Sequence, residues 1–416
     1  MPSIQCALRG RQFTDRHPTK PMEAYAGEWL QFLIRWVHLI TGIAWIGASF
    51  YFIWLDNHLR PPLAASDAPD AIGGEVWAIH GGGFYHVEKF RVAPAALPPT
   101  LHWFKWEAYS TWLSGFALFV VLYWWHADTY MIDRSVAALS PAQAVTISGA
   151  LLLVGWLVYD QLCKRLGFTH ERLLGVLLVA FLTVVAWGLS HLFSGRAMFI
   201  QIGAMLGTMM AANVLLVIIP SQRVLVAAKE EGRAPDPIHG LRGKQRSVHN
   251  NYLTLPVLVT MISNHYPMTY GHPHPWIVLL AMLLLAAWVR HFFNLRHRGR
   301  TVWAIPASAA LGALALAIAI APAKPSGAMR VSFADAQSII RARCTACHAV
   351  QPRQQGIAVA PKGIVLETPA QIVANAAAIR AQAVTSRAMP LGNLTGMTDD
   401  ERARLAAWID AGAHVD

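Results

Sequence analysis

The chain has 416 residues, of which 55% are hydrophobic and only 14% are charged. A soluble domain carries about 25% charged residues, so a single water-exposed globule is excluded; disorder and collagen-like repeats are excluded too, because apolar residues abound and the glycines and prolines follow no period. The formal charge is +11, which in a membrane protein indicates basic loops on one side of the bilayer rather than nucleic-acid binding.

Eight apolar stretches precede residue 322, each close to the ~20 residues that a helix needs to cross the hydrocarbon layer. They are centred on residues 30–55, 111–125, 144–163, 173–192, 197–219, 247–266, 276–293 and 301–321. The second and sixth are the weakest predictions, and the polar Asn250 and Asn251 in the sixth favour a bundle interior over lipid. Residues 22–322 are therefore predicted to form an all-α bundle of eight transmembrane helices.

Lysines and arginines concentrate in alternate loops, which predicts the orientation of the bundle, because positive charge is retained in the cytoplasm. With the N-terminus outside, the outer loops contain only Arg134 and Arg196. This orientation places the N-terminus and the C-terminal tail in the periplasm, on the outer face of a bacterial inner membrane.

Residues 1–21 conflict with this orientation, since Arg9, Arg11, Arg16 and Lys20 precede the first span and would have to cross the bilayer. No apolar stretch of signal-peptide length precedes residue 29. We therefore interpret residues 1–21 as an N-terminal extension and hypothesise that translation starts at Met22.

The first predicted inner loop is dense in polar and aromatic residues. In residues 75–92, EVWAIHGGGFYHVEKFRV, alternation on both sides of three glycines predicts a β-hairpin. A His-Gly-Gly-Gly run also occurs in esterase oxyanion loops, but this sequence has no G-x-S-x-G elbow. Residues 101–109, LHWFKWEAY, combine His, Lys, Glu and aromatics at a helix start; an interfacial aromatic belt with a snorkelling Lys105 is the alternative.

The composition changes after residue 321. Residues 323–328, AKPSGA, predict a linker, and residues 329–416 predict a small soluble domain. Cys344, Cys347 and His348 form a C-x-x-C-H motif, typical of covalent haem c attachment through two thioethers, with the histidine as an axial ligand of iron. Zinc would need two further Cys or His ligands, and the tail offers only His414 besides His348.

The sixth ligand of the iron is expected to be a downstream methionine. Met389 lies in a loop between two helical patterns and is the better candidate, whereas Met397 immediately precedes a helix start marked by the capping-box residues Thr398 and Glu401. Thr368 likewise opens a predicted helix over residues 370–383. The tail thus resembles a class I cytochrome c domain, and methionine ligation implies a relatively high potential. Haem c is attached outside the cytoplasm, in agreement with the charge count.

Four segments carry a wider resemblance. They are residues 35–52 (RWVHLITGIAWIGASFYF), 80–89 (HGGGFYHVEK), 101–109 and the pair Tyr159–Asp160. The chain resembles the membrane-integral, cytochrome c-linked urate oxidases, or urate hydroxylases, over residues 29–416. The resemblance implies oxidation of urate to 5-hydroxyisourate in purine breakdown, with electrons passing to cytochrome c and no hydrogen peroxide formed. It carries over no catalytic residue.

Polar residues within predicted spans are costly and are therefore the candidates for catalysis. On the outer side, Arg35 and His38 are candidates to bind and deprotonate urate. On the inner side the candidates are Glu107, Asp160, Arg290 and His291. For each of them, packing against a neighbouring helix is the alternative interpretation.

The two sets of catalytic candidates differ in their predicted depth in the membrane. Urate gives up two electrons and one haem accepts one, so each reduction must be followed by transfer to an external acceptor such as a soluble cytochrome c or a terminal oxidase. The hydrocarbon core is about 30 Å thick, so an inner site would need a second cofactor to reach a periplasmic haem. A b-type haem ligated by residues such as His38, His126 and His191 would supply that bridge.

A rival function fits part of the pattern. A membrane-anchored cytochrome c that relays electrons from a quinol would explain the haem motif and the spans, but not the glycine- and histidine-rich hairpin. A transporter fused to a redox sensor is a more distant third possibility.

Overall fold

The computed structural model describes residues 21–62, 72–321, 330–354 and 357–415. All but the last residue of the predicted N-terminal extension, and the whole of the predicted linker, lie outside these ranges. The described chain is mostly helical, with one β-hairpin.

The described residues up to 321, which we call the membrane part after the spans predicted in it, form mainly helices and one β-hairpin. Its elements are α1 (Pro21–His58), β1 (Ile72–His80), β2 (Gly83–Phe90), α2 (Trp106–Phe119), α3 (Ala127–Tyr130), α4 (Pro141–Leu166), α5 (Glu171–Ser190), α6 (Gly195–Asn213), α7 (Ile219–Glu230), α8 (Pro237–Ser263), α9 (Pro267–Tyr270), α10 (Pro275–His297) and α11 (Ala304–Ala319). A π-helical turn, Val120–Trp124, extends α2, and a second, Val214–Ile218, joins α6 to α7.

Among the described residues, five helices are long and apolar enough to cross a membrane: Tyr25–His58, Pro141–Leu166, Glu171–Ser190, Gly195–Glu230 and Pro275–His297. The other three predicted spans fall in α2, α8 and α11 and are helical as well. However, α11 has only 16 residues, and α8 carries many polar side chains. A membrane protein is thus supported, while the count of eight spans stays a prediction.

Local sequence explains where the helices begin. Ser140 and Gln143 form a capping box, followed by Pro141 at the first helical position of α4. The Ser194 hydroxyl accepts a hydrogen bond from the backbone of α6, and the Asp236 carboxylate does the same for α8.

Helix α6 forms the centre of the bundle, packed against α4 and α8. Its core residues Met198, Phe199, Ile202 and Met205 are fully buried. At Gly203 a side chain would overlap the hydroxyl of Thr260 on α8, so a small residue is required for the two helices to approach.

The predicted hairpin is confirmed. Strands β1 and β2 pair antiparallel, with Trp77 opposite His86 and their rings stacked 4.2 Å apart. Gly81 and Gly82 adopt positive φ values of 59° and 84° in the turn, as a two-residue hairpin loop requires.

The tail is a small helical domain. It contains α12 (Phe333–Arg343), α13 (Pro369–Ala374), α14 (Ala376–Ile379) and α15 (Asp399–Asp410). The capping boxes at Thr368 and Thr398 are both present. The helix predicted over 370–383 is interrupted at Asn375, which has non-helical backbone angles, and ends in a π-helical turn, Arg380–Thr385.

The tail packs against two loops of the membrane part. A side chain at Gly392 would lie 2.7 Å from the carbonyl oxygen of Ile132 and 2.9 Å from that of Thr129, and one at Gly271 would overlap the carbonyl of Ser386. We call this contact the tail seat. The end of the bundle that carries it is the tail side, and the opposite end is the far side.

Candidate haem site and polar clusters of the membrane part

The C-x-x-C-H motif follows directly from the end of α12. The backbone N–H groups of Cys347 and His348 donate to the Cys344 carbonyl at 3.2 and 2.9 Å, so the motif closes one helical turn. Burial raises the pKa of the Cys344 thiol to about 12.

His348 is oriented for ligation. Its Nδ1 lies 2.9 Å from the backbone carbonyl of Ile364, so Nδ1–H donates there and leaves Nε2 to bind a metal. Two thiols on one turn next to a histidine held in this way fit covalent haem c. When bound, the haem supplies a one-electron acceptor.

The two candidate methionines occupy different environments. Met389 is half-buried at the edge of the tail core, and its carbonyl accepts a hydrogen bond from Arg402 at 2.7 Å. Met397 is 3% exposed within that core. Met389 therefore stays the predicted sixth ligand, and Met397 is a packing residue.

An ion pair ties α15 to α12 beside this site. Arg343 Nε contacts both carboxylate oxygens of Glu401 at 3.0 Å. Burial alone would raise the pKa of Glu401, but hydrogen bonds from Arg343 and from the Thr398 backbone outweigh it and hold the pKa below its usual value.

Both carboxylate oxygens of Asp160 form ion pairs on the far side of the bundle. Its carboxylate contacts buried Arg246 at 2.8 Å and Lys164 at 2.7 Å. A buried carboxylate with both oxygens paired is held in place and is not free to act as a base. In the structure, this predicted catalytic candidate is one member of an ion-pair network.

A second set of hydrogen bonds continues from this network. The Tyr159 hydroxyl lies 2.9 Å from His249 Nδ1, and the Asn213 amide donates to Tyr159 at 2.9 Å and to Asn250 at 2.8 Å. These bonds join α4, α6 and α8 through satisfied polar groups. They form a largely buried polar core.

Arg290 lies in a different and unsatisfied environment. Its Nε donates to Asn251 Oδ1 at 3.0 Å, and its guanidinium carbon lies 3.8 Å from the centroid of the Phe50 ring. Within the described ranges, five buried side-chain atoms have no hydrogen-bond partner: Arg290 Nη2, Asn251 Nδ2, Asn294 Oδ1, His297 Nδ1 and Glu107 Oε2. The first four belong to what we call the Arg290 cluster: Asn251, Arg290, Asn294 and His297.

His291 and Glu107 differ in their surroundings. His291 Nδ1 lies 2.7 Å from the Tyr252 hydroxyl, and its ring stacks on Trp288. Both contacts of His291 are thus with residues outside the Arg290 cluster. Glu107 lies in the first turn of α2 with one buried oxygen unpartnered, so it stays a candidate base.

The predicted outer pair is divided between two environments. His38 is wedged against α2, with Nδ1 3.0 Å from the Thr111 carbonyl and 3.3 Å from the Ser114 hydroxyl. Gly115 makes room for it, because a side chain there would lie 2.7 Å from the ring. Arg35, one turn earlier on α1, is exposed. The pair is thus not assembled into one site.

The three histidines suggested for a second haem are also apart. His126 lies eleven residues after Gly115, about 16 Å further along the helix at 1.5 Å per residue, whereas His38 contacts Gly115 itself. His126 Nδ1 lies 3.2 Å from the Val121 carbonyl, and exposed His191 lies 2.8 Å from that of Trp187. This arrangement does not support one haem shared among them.

The membrane part matches a known family model. The family model described as urate oxidase N-terminal covers residues 24–321. The chain belongs to this family. No curated protein and no solved structure matches the chain.

The matched region of this urate oxidase family member contains the Arg290 cluster as well as every membrane candidate from the sequence, while the C-x-x-C-H motif lies beyond it. The sequence does not single out Asn294 and His297, because they follow the apolar stretch that ends at Phe293. Their spacing from Arg290, at i+4 and i+7 on one helix face, is the signal that would have found them.

The hairpin holds a group of ligand atoms that the sequence also did not reveal. Glu75 and Glu88 are directly opposite in the register, and one atom from each lies within 4.8 Å of a His86 nitrogen. The side chains of Glu75 and His86 are already paired at 2.8 Å. Pairing across the strands, and not spacing along the sequence, brings these residues together.

Proposed function

We propose that this protein oxidises urate to 5-hydroxyisourate and delivers the electrons to a haem c in its own tail. From there the electrons pass to an external acceptor such as a soluble cytochrome c or a terminal oxidase, so no hydrogen peroxide forms. One observation carries the proposal. The same chain contains a urate oxidase N-terminal match over residues 24–321 and a C-x-x-C-H domain that packs against the matched region.

The reaction balances without molecular oxygen as oxidant. Urate takes up one water and releases two electrons and two protons to give 5-hydroxyisourate. Cys344 and Cys347 would hold the haem covalently, His348 and Met389 would bind its iron, and the haem would accept one electron at a time. The tail seat keeps the Met389 loop against the membrane part, because Gly392, three residues after Met389, contacts Thr129 and Ile132.

The proposed location is the bacterial inner membrane, with the tail in the periplasm. Support comes from the excess of Lys and Arg in alternate loops and from the requirement for haem attachment outside the cytoplasm. The loops that form the tail seat, around residues 129–132 and 271, are among those that the charge count leaves outside.

The experiment is reduction of the tail by urate. Membranes containing the oxidised holoprotein are mixed with urate under anaerobic conditions, and the α band of ferrous haem c is followed. Reduction by urate, with 5-hydroxyisourate formed and no hydrogen peroxide detected on admission of air, supports the proposal. Reduction by a short-chain quinol but not by urate would instead favour the membrane-anchored quinol relay.

A b-type haem between the two parts stays a separate proposal. The pyridine haemochrome spectrum of the purified active protein tests it directly. A b-type component would support a bridging haem with ligands beyond the three suggested histidines, and a spectrum of c-type haem alone would refute it.

A further inference from the structure

The Arg290 cluster combines a buried cation with unmatched polar groups. Arg290 is 3% exposed and Asn251 is fully buried. Among the described residues no carboxylate forms an ion pair with Arg290; its contacts are Asn251 Oδ1 and the face of the Phe50 ring. A buried charge without a counter-charge costs several kcal/mol, so this arrangement calls for an anion.

The residues that carry the unpartnered atoms meet at one face of α10. Arg290, Asn294 and His297 lie at i, i+4 and i+7 on α10, which places them on one face of the helix, and Asn251 reaches that face from α8. Native proteins leave few buried polar atoms unsatisfied. Three such atoms on one face of α10, with Asn251 Nδ2 beside them on α8, suit a ligand that offers acceptors to the arginine and a donor to Asn294.

We propose that the Arg290 cluster binds the urate anion, an inference that rests on the proposed function. Arg290 Nη2 and Asn251 Nδ2 donate to the carbonyl oxygens and deprotonated nitrogen of the purine, and Asn294 Oδ1 accepts from a ring N–H. The guanidinium is flat and presents its donors as a fork, which matches the edge of a flat anion.

The ligand enters at the far side of the bundle. The cluster is closed from solvent there by contacts between α1 and α10: Arg298 Nε donates to Asn57 Oδ1 at 3.1 Å, and the rings of His58 and His297 are 5.5 Å apart. These contacts between side chains must part for urate to enter. In the proposed orientation this point of entry faces the cytoplasm.

Binding can be measured without turnover. The holoprotein is reduced with dithionite, so that no electron can leave urate, and equilibrium dialysis with radiolabelled urate gives the Kd. Replacing Arg290 by Met removes the charged donors; hydrogen bonds to charged groups are worth about 1.5–3 kcal/mol, so urate should bind roughly 10- to 150-fold more weakly. Arg296→Met, an exposed arginine on the same helix, is the matched control and should leave the Kd unchanged.

A second variant keeps the test decisive if Arg290→Met fails to fold. Asn294→Asp places a carboxylate beside Arg290, which satisfies the cation and repels urate. We expect this variant to unfold at the same temperature as the wild type or higher, with urate binding lost. A folded Asn294→Asp protein that binds urate like the wild type would overturn the proposed pocket and leave only water to fill the cluster.

The failure of this inference is distinguishable from failure of the proposed function. If urate reduces the wild-type tail and both variants bind urate normally, the pocket is wrong and the function stands. If urate neither binds the wild type nor reduces its tail, the proposed function itself fails.

Discussion

The tail seat can be tested by adding one methyl group at Gly392. This glycine has a φ of +56°, and a Cβ there would lie within 3 Å of the backbone carbonyl oxygens of Thr129 and Ile132. Because both contacts are backbone atoms, they cannot rotate away, and the loop and seat must separate. Gly363 is the matched control: its φ is +69°, and a side chain there meets no atom within 4 Å.

The two substitutions have the same backbone cost, and only one of them adds a steric overlap. Alanine in the left-handed region costs about 1–2 kcal/mol at either position. Only Gly392→Ala adds the overlap with the seat, about 1–3 kcal/mol as for other overpacked sites. That extra cost corresponds to a roughly 5- to 150-fold decrease in the equilibrium constant for docking of the tail on the tail seat.

Stopped-flow spectroscopy separates seating from haem chemistry. Reduction of the tail by urate should be slower in Gly392→Ala than in Gly363→Ala, whereas dithionite, which reaches the haem from solution, should reduce both at the same rate. Equal rates with urate in the two variants would refute the idea that this contact positions the tail for reduction.

Three further predictions concern ligation, the buried ion pair and pH. Met389→Ala should lower the haem potential and abolish the near-infrared charge-transfer band of methionine ligation, whereas Met397→Ala should keep the band and destabilise the tail by about 2–5 kcal/mol in chemical unfolding, as for other buried methionines. Asp160→Asn leaves Arg246 without its main counter-charge and should lower the melting temperature, since breaking a buried pair costs about 3–5 kcal/mol; an unchanged melting temperature would contradict this. The pKa of Glu401 is lowered in the folded state. Its contribution to tail stability is therefore complete above the pKa of an unfolded glutamate and is lost as the pH falls through the lowered pKa. In Glu401→Gln, tail stability should depend less on pH in this acidic range.

The sequence was most informative where a short pattern determines both structure and chemistry. Cys344, Cys347 and His348 are adjacent in the chain, so their spacing alone predicts a turn that presents two thiols beside a histidine. The glycine turn of the hairpin is equally local, and the predicted hairpin is present as the antiparallel pair β1 and β2. Chemistry built from neighbours in the sequence is visible without a structure.

Catalytic candidates in the membrane part were harder to sort, because a polar residue in a span has the same appearance whether it is paired or free. Asp160 and Arg290 were equivalent in the sequence. The structure separates them: Asp160 is paired with Arg246 across 86 positions of the chain, whereas Arg290 finds only Asn251 and an aromatic face. Pairing partners on other helices decide the role, and sequence periodicity does not identify them.

The depth of the Arg290 cluster separates two steps of the proposed reaction. Arg290 lies fifteen residues after Pro275, where α10 starts next to the tail seat, a distance of about 22 Å at 1.5 Å per residue. The hydrocarbon core is about 30 Å thick, so the cluster belongs to the half of the bundle remote from the tail. Electrons must therefore cross a gap after urate has bound, which requires a bound carrier between the cluster and the tail. Because the steps are separate, Gly392→Ala should lower the maximal rate of tail reduction, whereas Arg290→Met should raise the urate concentration needed to reach half of it. If both variants altered the same parameter, binding and tail reduction would share one location, and the two-site arrangement would be wrong.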